Sequence, residues 1–331
     1  MSNHLILGGA GFIGGNLTRA LVAKGERPRV FTRPNSSISN LKDILGNIDI
    51  VYGDFREHGE LCEALKGIDT VFHLISSMGP RMSIESSLYD IESNLVPTIH
   101  LVENCLANGV KKIVFASSGG TIYGEPKMIP IHEDHPLLPK AIYGQSKLTI
   151  ENFLNFYARS TGIDVNILRI SNPFGPGQNP NKAQGIVAVA MGSAYYNRVL
   201  KIYGKGEAVR DYIYVDDVAE AMLLAAESSG SSIVNISSST GQSIMDIVEA
   251  VEKISGRMIR KEFVPSCSSD VKVNILDNKR SYAVYGWYPK VDFKDGLIRT
   301  LKQFEQQISV NSSRIDPIKY KRDISPTLRP I

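Results

Sequence analysis

From His4 to Ile170, short unbroken apolar runs alternate with longer stretches whose apolar residues recur every three or four positions. The first kind reads as strands buried on both faces, the second as helices laid over them. The predicted strands are His4–Leu7, Arg29–Thr32, Ile48–Tyr52, Thr70–Ile75, Lys112–Ser117 and Val165–Ile170. Helical spacing covers Phe12–Lys24, Glu57–Leu65, Leu88–Ala107 and Ser146–Arg159, and in the last of these Leu148, Phe153, Phe156 and Tyr157 line one broad face. Such alternation predicts an α/β chain with a doubly wound parallel sheet.

After Ser171 the texture changes to a loop rich in Pro, Gly and Asn, from Asn172 to Pro180, where a second, smaller lobe is expected to begin. A chain of 331 residues exceeds what one compact core usually fills, which agrees with two lobes. No internal repeat is visible. From about Ser309 the chain loses its apolar period and carries Lys319, Lys321, Arg322 and Arg329, so a loosely held, solvated tail is expected there.

The first strand runs straight into Gly8-Gly9-Ala10-Gly11-Phe12-Ile13-Gly14. Gly8 permits a sharp turn, Gly11 leaves no Cβ between the backbone and a pyrophosphate, and Gly14 lets the new helix pack closely on the strand. The helix N-terminus then offers unpaired N–H groups to the phosphates. A Rossmann-type dinucleotide site is the expectation.

Composition narrows the alternatives. With 43% hydrophobic and 21% charged residues the chain is an ordinary globular one, and a formal charge of +3 with no long basic face gives no reason to expect a nucleic-acid partner. The cysteines Cys62, Cys105 and Cys267 are odd in number and far apart, so neither a disulfide framework nor a metal knuckle is expected, and a cytoplasmic location is. The six histidines form no metal set, His132 and His135 falling in a charged loop. The N-terminus reaches glycine after a four-residue apolar run and nothing later approaches about 18 uninterrupted apolar residues, so neither a signal peptide nor a membrane span is expected.

The end of the second strand bears on the choice of cofactor. NAD sites usually place a carboxylate there for the ribose 2′-OH, but this strand ends Phe31-Thr32-Arg33. Arg33 suits a 2′-phosphate, hence NADP, or is simply a solvent-facing arginine. Asp54, after the third strand, either accepts from the adenine amino group or forms a turn.

Tyr143-Gly144-Gln145-Ser146-Lys147 signals the chemistry. Four residues apart on a helix, the tyrosine and lysine share a face. A phenol with an unperturbed pKa of about 10 is a poor base at neutral pH, and each unit of lowering needs about 1.4 kcal/mol. A nearby ammonium and an oxidised nicotinamide are expected to supply that lowering. A second copy, Tyr123-Gly124-Glu125-Pro126-Lys127, is broken by Gly124 and Pro126, so Tyr123 is expected in a loop or on the pocket wall. For a proton relay, Ser118 and Thr121 emerge where the fifth strand meets the ligand edge of the sheet.

Taken with Gly53-Asp54, Val71-Phe72-His73-Leu74, Asn94, Leu168-Arg169, Asn172-Pro173 through Gly177, Ile202-Tyr203-Gly204, Arg210-Asp211-Tyr212, Tyr214-Val215-Asp216-Asp217-Val218, Asp277 and Gly286-Trp287, these motifs extend almost to Phe304. The chain resembles the extended short-chain dehydrogenases/reductases of the nucleotide-sugar epimerase and dehydratase group. The resemblance implies a nucleotide-binding domain of residues 1–171 joined by a return segment of about 212–236. It places the substrate lobe in 172–211 and 237–308, with 309–331 as a tail. It implies NAD held by Gly8, Gly11, Phe12, Ile13, Gly14, Arg33, Asp54, Phe55, Leu74, Asn94, Ser117, Tyr143, Lys147 and Pro173, with NADP as the alternative that Arg33 raises.

By the same resemblance, Tyr143 takes a proton from the sugar 4-OH while hydride leaves C4, and the 4-keto sugar turns and is reduced on its other face. The substrate is then a UDP-hexose or UDP-N-acetylhexosamine, contacted by Ser118, Thr121, Tyr143, Asn172, Arg210 and Asn274. A homodimer through the helices Leu88–Ala107 and Ser146–Arg159 is also implied.

Three positions depart from the family pattern. Its Ser or Thr, four residues before the Tyr-Gly, is Gly119 here, so Ser118, Thr121 or water must supply the hydroxyl; Thr121 is favoured slightly because it shares a strand face with position 119. Gly119-Gly120 also lacks the acid of the 4,6-dehydratases. An arginine for the diphosphate is replaced by Cys267, three residues before Asp270; four residues after that Asp stands Asn274, where a tyrosine would exclude an N-acetyl group. An NADPH-dependent 4-keto-sugar reductase and a non-catalytic dinucleotide sensor are the alternative readings.

Overall fold

A computed structural model describes residues 3–77, 87–182, 184–266 and 271–312 of the chain. The first half lays down β1 (His4–Leu7), α1 (Phe12–Ala23), β2 (Arg29–Thr32), β3 (Asp49–Tyr52), α2 (His58–Leu65) and β4 (Thr70–His73). Then follow α3 (Ser87–Asp90), a π-helical turn (Ile91–Leu95), α4 (Val96–Ala107), β5 (Lys112–Ser118), the single turn α5 (Gly119–Ile122), α6 (Ile142–Thr161) and β6 (Asp164–Ile170).

Beyond β6 come β7 (Asn172–Phe174), α7 (Ile186–Tyr196), β8 (Val199–Tyr203), β9 (Val209–Tyr214), α8 (Val215–Glu227) and β10 (Ser232–Ile236). The chain finishes with β11 (Gly241–Ser243), α9 (Ile244–Ser255), β12 (Arg260–Val264), β13 (Val273–Asn274), α10 (Lys279–Tyr285) and α11 (Phe293–Ser312). The last helix runs past Ser309, where a loose tail was the expectation; residues beyond 312 lie outside the described part.

Seven strands form one parallel sheet in the order β10-β6-β5-β4-β1-β2-β3. Because side chains alternate across a strand, Leu5, Leu7, Val71, Ile113 and Phe115 face one way, into a core shared with Leu101 of α4 and Leu154 of α6. Ile6, Phe72, Val114 and Leu168 face the other, onto Leu17 and Leu21 of α1 and Met222 of α8. Both faces are covered, which is why the strands read as continuous apolar runs. Strand order reverses between β1 and β4, and in open α/β sheets ligands bind at the strand ends beside such a reversal.

The smaller part builds on β9, flanked by β11 and β13 with β7 pairing on it, and on the pair β8–β12. Phe174, Met191, Leu200, Ile202, Tyr212, Tyr214, Ile247 and Leu297 form its core. The chain returns to the large sheet through α8 and β10, which pairs with β6.

Two helices carry features that the apolar pattern did not announce. Leu88–Ala107 is helical throughout, but a π turn widens it at Ile91–Leu95, and Asp90 and Asn94 beside and within that turn are both buried. On α6 the buried side chains are Lys147, Ile150, Glu151 and Leu154, whereas Phe153 and Phe156 are 40% and 55% exposed. The core takes a polar pair there, which an apolar count overlooks. Among the described residues no helix is long and apolar enough to cross a membrane, and no cluster of possible metal ligands occurs.

Candidate active site

The glycine turn opens the site. Gly8 has φ +82°, a left-handed conformation that makes the turn after β1. A Cβ on Gly14 would lie 2.4 Å from the Gly8 carbonyl oxygen, so any side chain there would push α1 off the strand. Gly11 caps α1 and receives the Gly15 N–H at 2.9 Å, and it faces the open cleft. Helix N–H groups and a backbone free of Cβ atoms at this point fit a dinucleotide pyrophosphate.

From the turn a cavity of about 2410 Å³ extends over the strand ends into the smaller lobe. Phe12, Ile13, Arg33, Asp54, Phe55, Leu74, Ser117, Ser118, Thr121, Tyr143, Lys147, Asn172, Pro173 and Arg210 all line it. Among the described residues, eight that line it are basic (Arg33, Lys42, Arg56, Lys140, Lys147, Lys182, Lys201, Arg210) against one acidic, Asp54, a field suited to a ligand carrying phosphates.

Asp54 is engaged locally. Arg56 donates to it through Nε at 3.0 Å and Nη2 at 2.6 Å, and the Arg56 backbone N–H closes an Asx turn at 3.0 Å. That guanidinium holds the carboxyl well below its ordinary range, at about 2, so it is ionised throughout the physiological range. Of the two roles considered for Asp54, the structure displays the turn.

At the far end of the cleft, α6 begins at Ile142, so Tyr143 and Lys147 sit in its first turns. Gly144 brings this turn against α5: a Cβ there would meet the Thr121 carbonyl oxygen at 2.6 Å. Tyr143 shares the cavity wall with Ser118 and Ser76, whose hydroxyls favour the ionised phenol. Lys147 is buried; its Nζ donates to the Ala116 carbonyl at 2.9 Å and lies 5.9 Å from the Tyr143 ring centre. Burial pushes the phenol up to about 12 and the lysine down to about 8. The expected lowering of the tyrosine is therefore not a property of the protein alone, because desolvation outweighs the serine hydroxyls.

Of the two relay candidates, both of which line the cavity, Ser118 is the one whose hydroxyl favours ionisation of Tyr143, whereas Thr121 makes a long 3.5 Å contact to the Ser118 carbonyl. The shared strand face that favoured Thr121 is absent, because β5 ends at Ser118 and α5 starts at Gly119. Position 119 itself has no room. A Cβ there would sit 2.4 Å from Leu276 Cδ1 and 3.0 Å from the Arg169 carbonyl oxygen.

Two predicted contacts stand elsewhere. Asn94 is behind the wall, its Oδ1 receiving the Ser77 N–H at 2.9 Å and its amide donating to Asp90 at 2.8 Å. Asn274 is buried off the cavity and donates to the Gly119 carbonyl at 3.2 Å. Tyr123, expected in a loop or on the wall, falls in the loop that follows α5, where it is fully buried and donates to Asn235 at 2.6 Å. Cys267 and Asp270 lie outside the described residues.

Some functional neighbours were missed. Glu151 lies one turn beyond Lys147, accepts from Ser117 and pairs with Arg169 at 2.8 Å; its spacing from Lys147 was the available signal. Asp211 holds the smaller lobe to the site, accepting from Ser171 at 3.2 Å, the Ser238 N–H at 2.9 Å and the Leu276 N–H at 3.2 Å. Its backbone carbonyl takes the Asn172 amide at 3.0 Å. Burial pushes its carboxyl up to about 6.

With this geometry in hand, residues 4–237 match the NAD dependent epimerase/dehydratase family. UDP-glucose 4-epimerase of Mycolicibacterium smegmatis is 31% identical over 316 residues, 92% of this chain and 98% of that protein. A dTDP-4-dehydro-6-deoxyglucose reductase of Escherichia coli is 32% identical over 309 residues, 90% and 96% of the two chains. Among solved structures, UDP-glucose 4-epimerase of Thermotoga maritima with UDP-glucose superposes with a TM-score of 0.87 at 32% identity, covering 92% of this chain and 99% of that one.

Proposed function

The chain belongs to the NAD dependent epimerase/dehydratase family, and from that premise we propose that it is a UDP-sugar 4-epimerase working through a 4-keto intermediate. The observation that carries this reading is the grouping of Tyr143, the buried Lys147 and Ser118 at the far end of the same cavity that holds the glycine turn. NAD, held by the glycine turn, Phe12, Ile13, Leu74 and Pro173, supplies a reversible hydride acceptor when bound.

Tyr143 takes the 4-OH proton and later returns it, the Ser118 hydroxyl favouring the ionised phenol. Lys147 supplies the positive charge that favours the phenolate against the desolvation that opposes it. Asn172 and Arg210, at the junction of the lobes, face the diphosphate. Either a hexose or an N-acetylhexosamine fits this reading. Because Asn274 lies off the cavity, the side chain at that position does not decide between UDP-glucose and UDP-N-acetylglucosamine, and both are assayed.

A second reading is favoured by Arg33 and by the E. coli relative: NADPH-dependent reduction of a 4-keto nucleotide sugar. One experiment separates them. The purified protein is given UDP-glucose or UDP-N-acetylglucosamine with no added cofactor, and in parallel a 4-keto-6-deoxy nucleotide sugar with NADPH. The epimerase reading predicts a 4-epimer in the first tube and no stoichiometric NADPH oxidation in the second; the reverse pattern replaces it with the reductase.

A homodimer is part of the proposal. Leu88, Tyr89 and Ile91 are 66%, 50% and 45% exposed, and with Phe153 and Phe156 of α6 they leave an apolar helical surface that a second copy would cover. Light scattering on the purified protein checks it, a monomer at micromolar concentration being the contrary result.

A further inference from the structure

Four ionisable side chains lie behind the reaction end of the cavity, almost sealed from water: Lys147 is 5% exposed, Arg169 3%, Asp90 2% and Glu151 1%. A buried charge is tolerated when it is paired and hydrogen-bonded. Glu151 and Arg169 satisfy each other through contacts of 2.8, 3.2 and 3.3 Å. Among the described residues, Lys147 and Asp90 have no such close partnership. The lysine Nζ donates to the Ala116 carbonyl at 2.9 Å and sits 4.6 Å from the Phe115 ring centre, both neutral groups. Asp90 accepts from the neutral Asn94 amide at 2.8 Å. Yet α3 and the π turn, which carry Asp90 and Asn94, both pack against α6, which carries Lys147. Two basic and two acidic side chains make up the cluster, and Asp90 is the acid that balances Lys147 once Glu151 is paired with Arg169.

We propose that Asp90 is a positioning residue: the counter-charge that keeps the Lys147 ammonium ionised beside Tyr143, itself held in place by Asn94 across the π turn. Burial draws Lys147 down to about 8, and the attractions that oppose this come from Asp90 first and Glu151 second. Arg169 already neutralises Glu151, which leaves Asp90 as the carboxylate whose field acts on the lysine unopposed. The other titratable neighbours do not substitute for it. Tyr143 is neutral, its phenol pushed up to about 12, and His73 on β4 is neutral because burial pushes it down to about 3. Asp90 also opposes ionisation of Tyr143, so its benefit acts through the lysine and is largest where Lys147 would otherwise lose its proton. The same chain of contacts joins Asp90 to Ser77, next to the Ser76 that shares the cavity wall with Tyr143.

Asp90→Asn keeps the shape and removes the charge. In the full-length protein with its resident cofactor, the Lys147 titration is followed by NMR of ¹³Cε-lysine, assigned with Lys147→Met. The expected result is a proton affinity of Lys147 lowered about tenfold, one pKa unit, with the alkaline limb of kcat/KM moving down in pH alongside it and Asp90→Glu restoring both. An unchanged Lys147 titration in Asp90→Asn overturns the proposal. Should that variant fail to fold, Asn94→Ser, which releases Asp90, must shift the titration in the same direction, and no shift there is equally fatal. The activity limb rests on the epimerase reading, but the titration does not: a shifted lysine in a protein without 4-epimerase activity upholds the counter-charge and overturns that reading alone.

Discussion

Tyrosine and lysine occur twice in this chain at the same four-residue spacing, and the two copies end in opposite circumstances. Tyr123 is wholly buried, its hydroxyl donating to Asn235 at 2.6 Å and accepting from Arg169 at 3.1 Å, while Lys127 is exposed and only its backbone N–H is engaged, with His135. In the other copy the lysine is buried and the tyrosine faces the cavity, where two serine hydroxyls favour its ionised form. Burial pushes both phenols up to about 12, so acidity in the protein alone does not tell them apart. The chain path does: Gly124, at φ +69°, turns away after Tyr123, whereas α6 carries Tyr143 and Lys147 on one face. Spacing becomes chemistry only when a helix spans it and the charged member is the buried one.

The largest effect that separates the copies is on turnover. Tyr143→Phe is expected to lose about 10²–10⁴-fold in kcat while retaining cofactor, measured by steady-state rates and by the bound nucleotide released on denaturation. Ser118→Ala, which removes a hydroxyl that favours ionisation of that phenol, should cost roughly a hundredfold, whereas Thr121→Ala should leave kcat nearly unchanged; equal losses in the two would sink the assignment of the relay to Ser118.

Tyr123→Phe should sharpen the contrast by moving stability instead. It strands the Asn235 oxygen and one Arg169 N–H, a cost of about 1–3 kcal/mol visible as a lower Tm, with kcat close to wild type. The pH profile gives a smaller but signed test. Lys147 is charged below about 8 and neutral above it, so kcat/KM should fall as pH rises past that value, and a profile still climbing at pH 9.5 contradicts a role for the ammonium. Lys127→Ala, at an exposed side chain, should change neither rate nor Tm beyond error.

Much of the fold was legible because it rests on backbone demands. The glycine turn needs Gly8 for its φ and Gly14 for its packing, and the first strands announce themselves as apolar runs with both faces covered. The reaction end was legible as far as Tyr143, Lys147 and Ser118. What failed has a common cause: apolar counting treats a charged residue as solvent-facing. Glu151 and Lys147 occupy the buried face of α6, which the apolar face read through Phe153 and Phe156 therefore did not reveal. The π turn at Ile91–Leu95 left no mark in a periodic pattern, so Asp90 did not stand out from the helix around it, although Asn94 did. Position 119 could be read as lacking a hydroxyl, but not as filled by Leu276, which arrives from 157 residues further along the chain.

The account stands most directly on one NMR time course. Purified protein, with no cofactor added, is incubated with UDP-N-acetylglucosamine and, separately, UDP-glucose, and the anomeric proton signals of the 4-epimers are followed for wild type, Tyr143→Phe and Tyr123→Phe. The account predicts epimer from wild type and from Tyr123→Phe, and none above background from Tyr143→Phe. Epimer formed by Tyr143→Phe at the wild-type rate, or its loss in Tyr123→Phe alone, would contradict it.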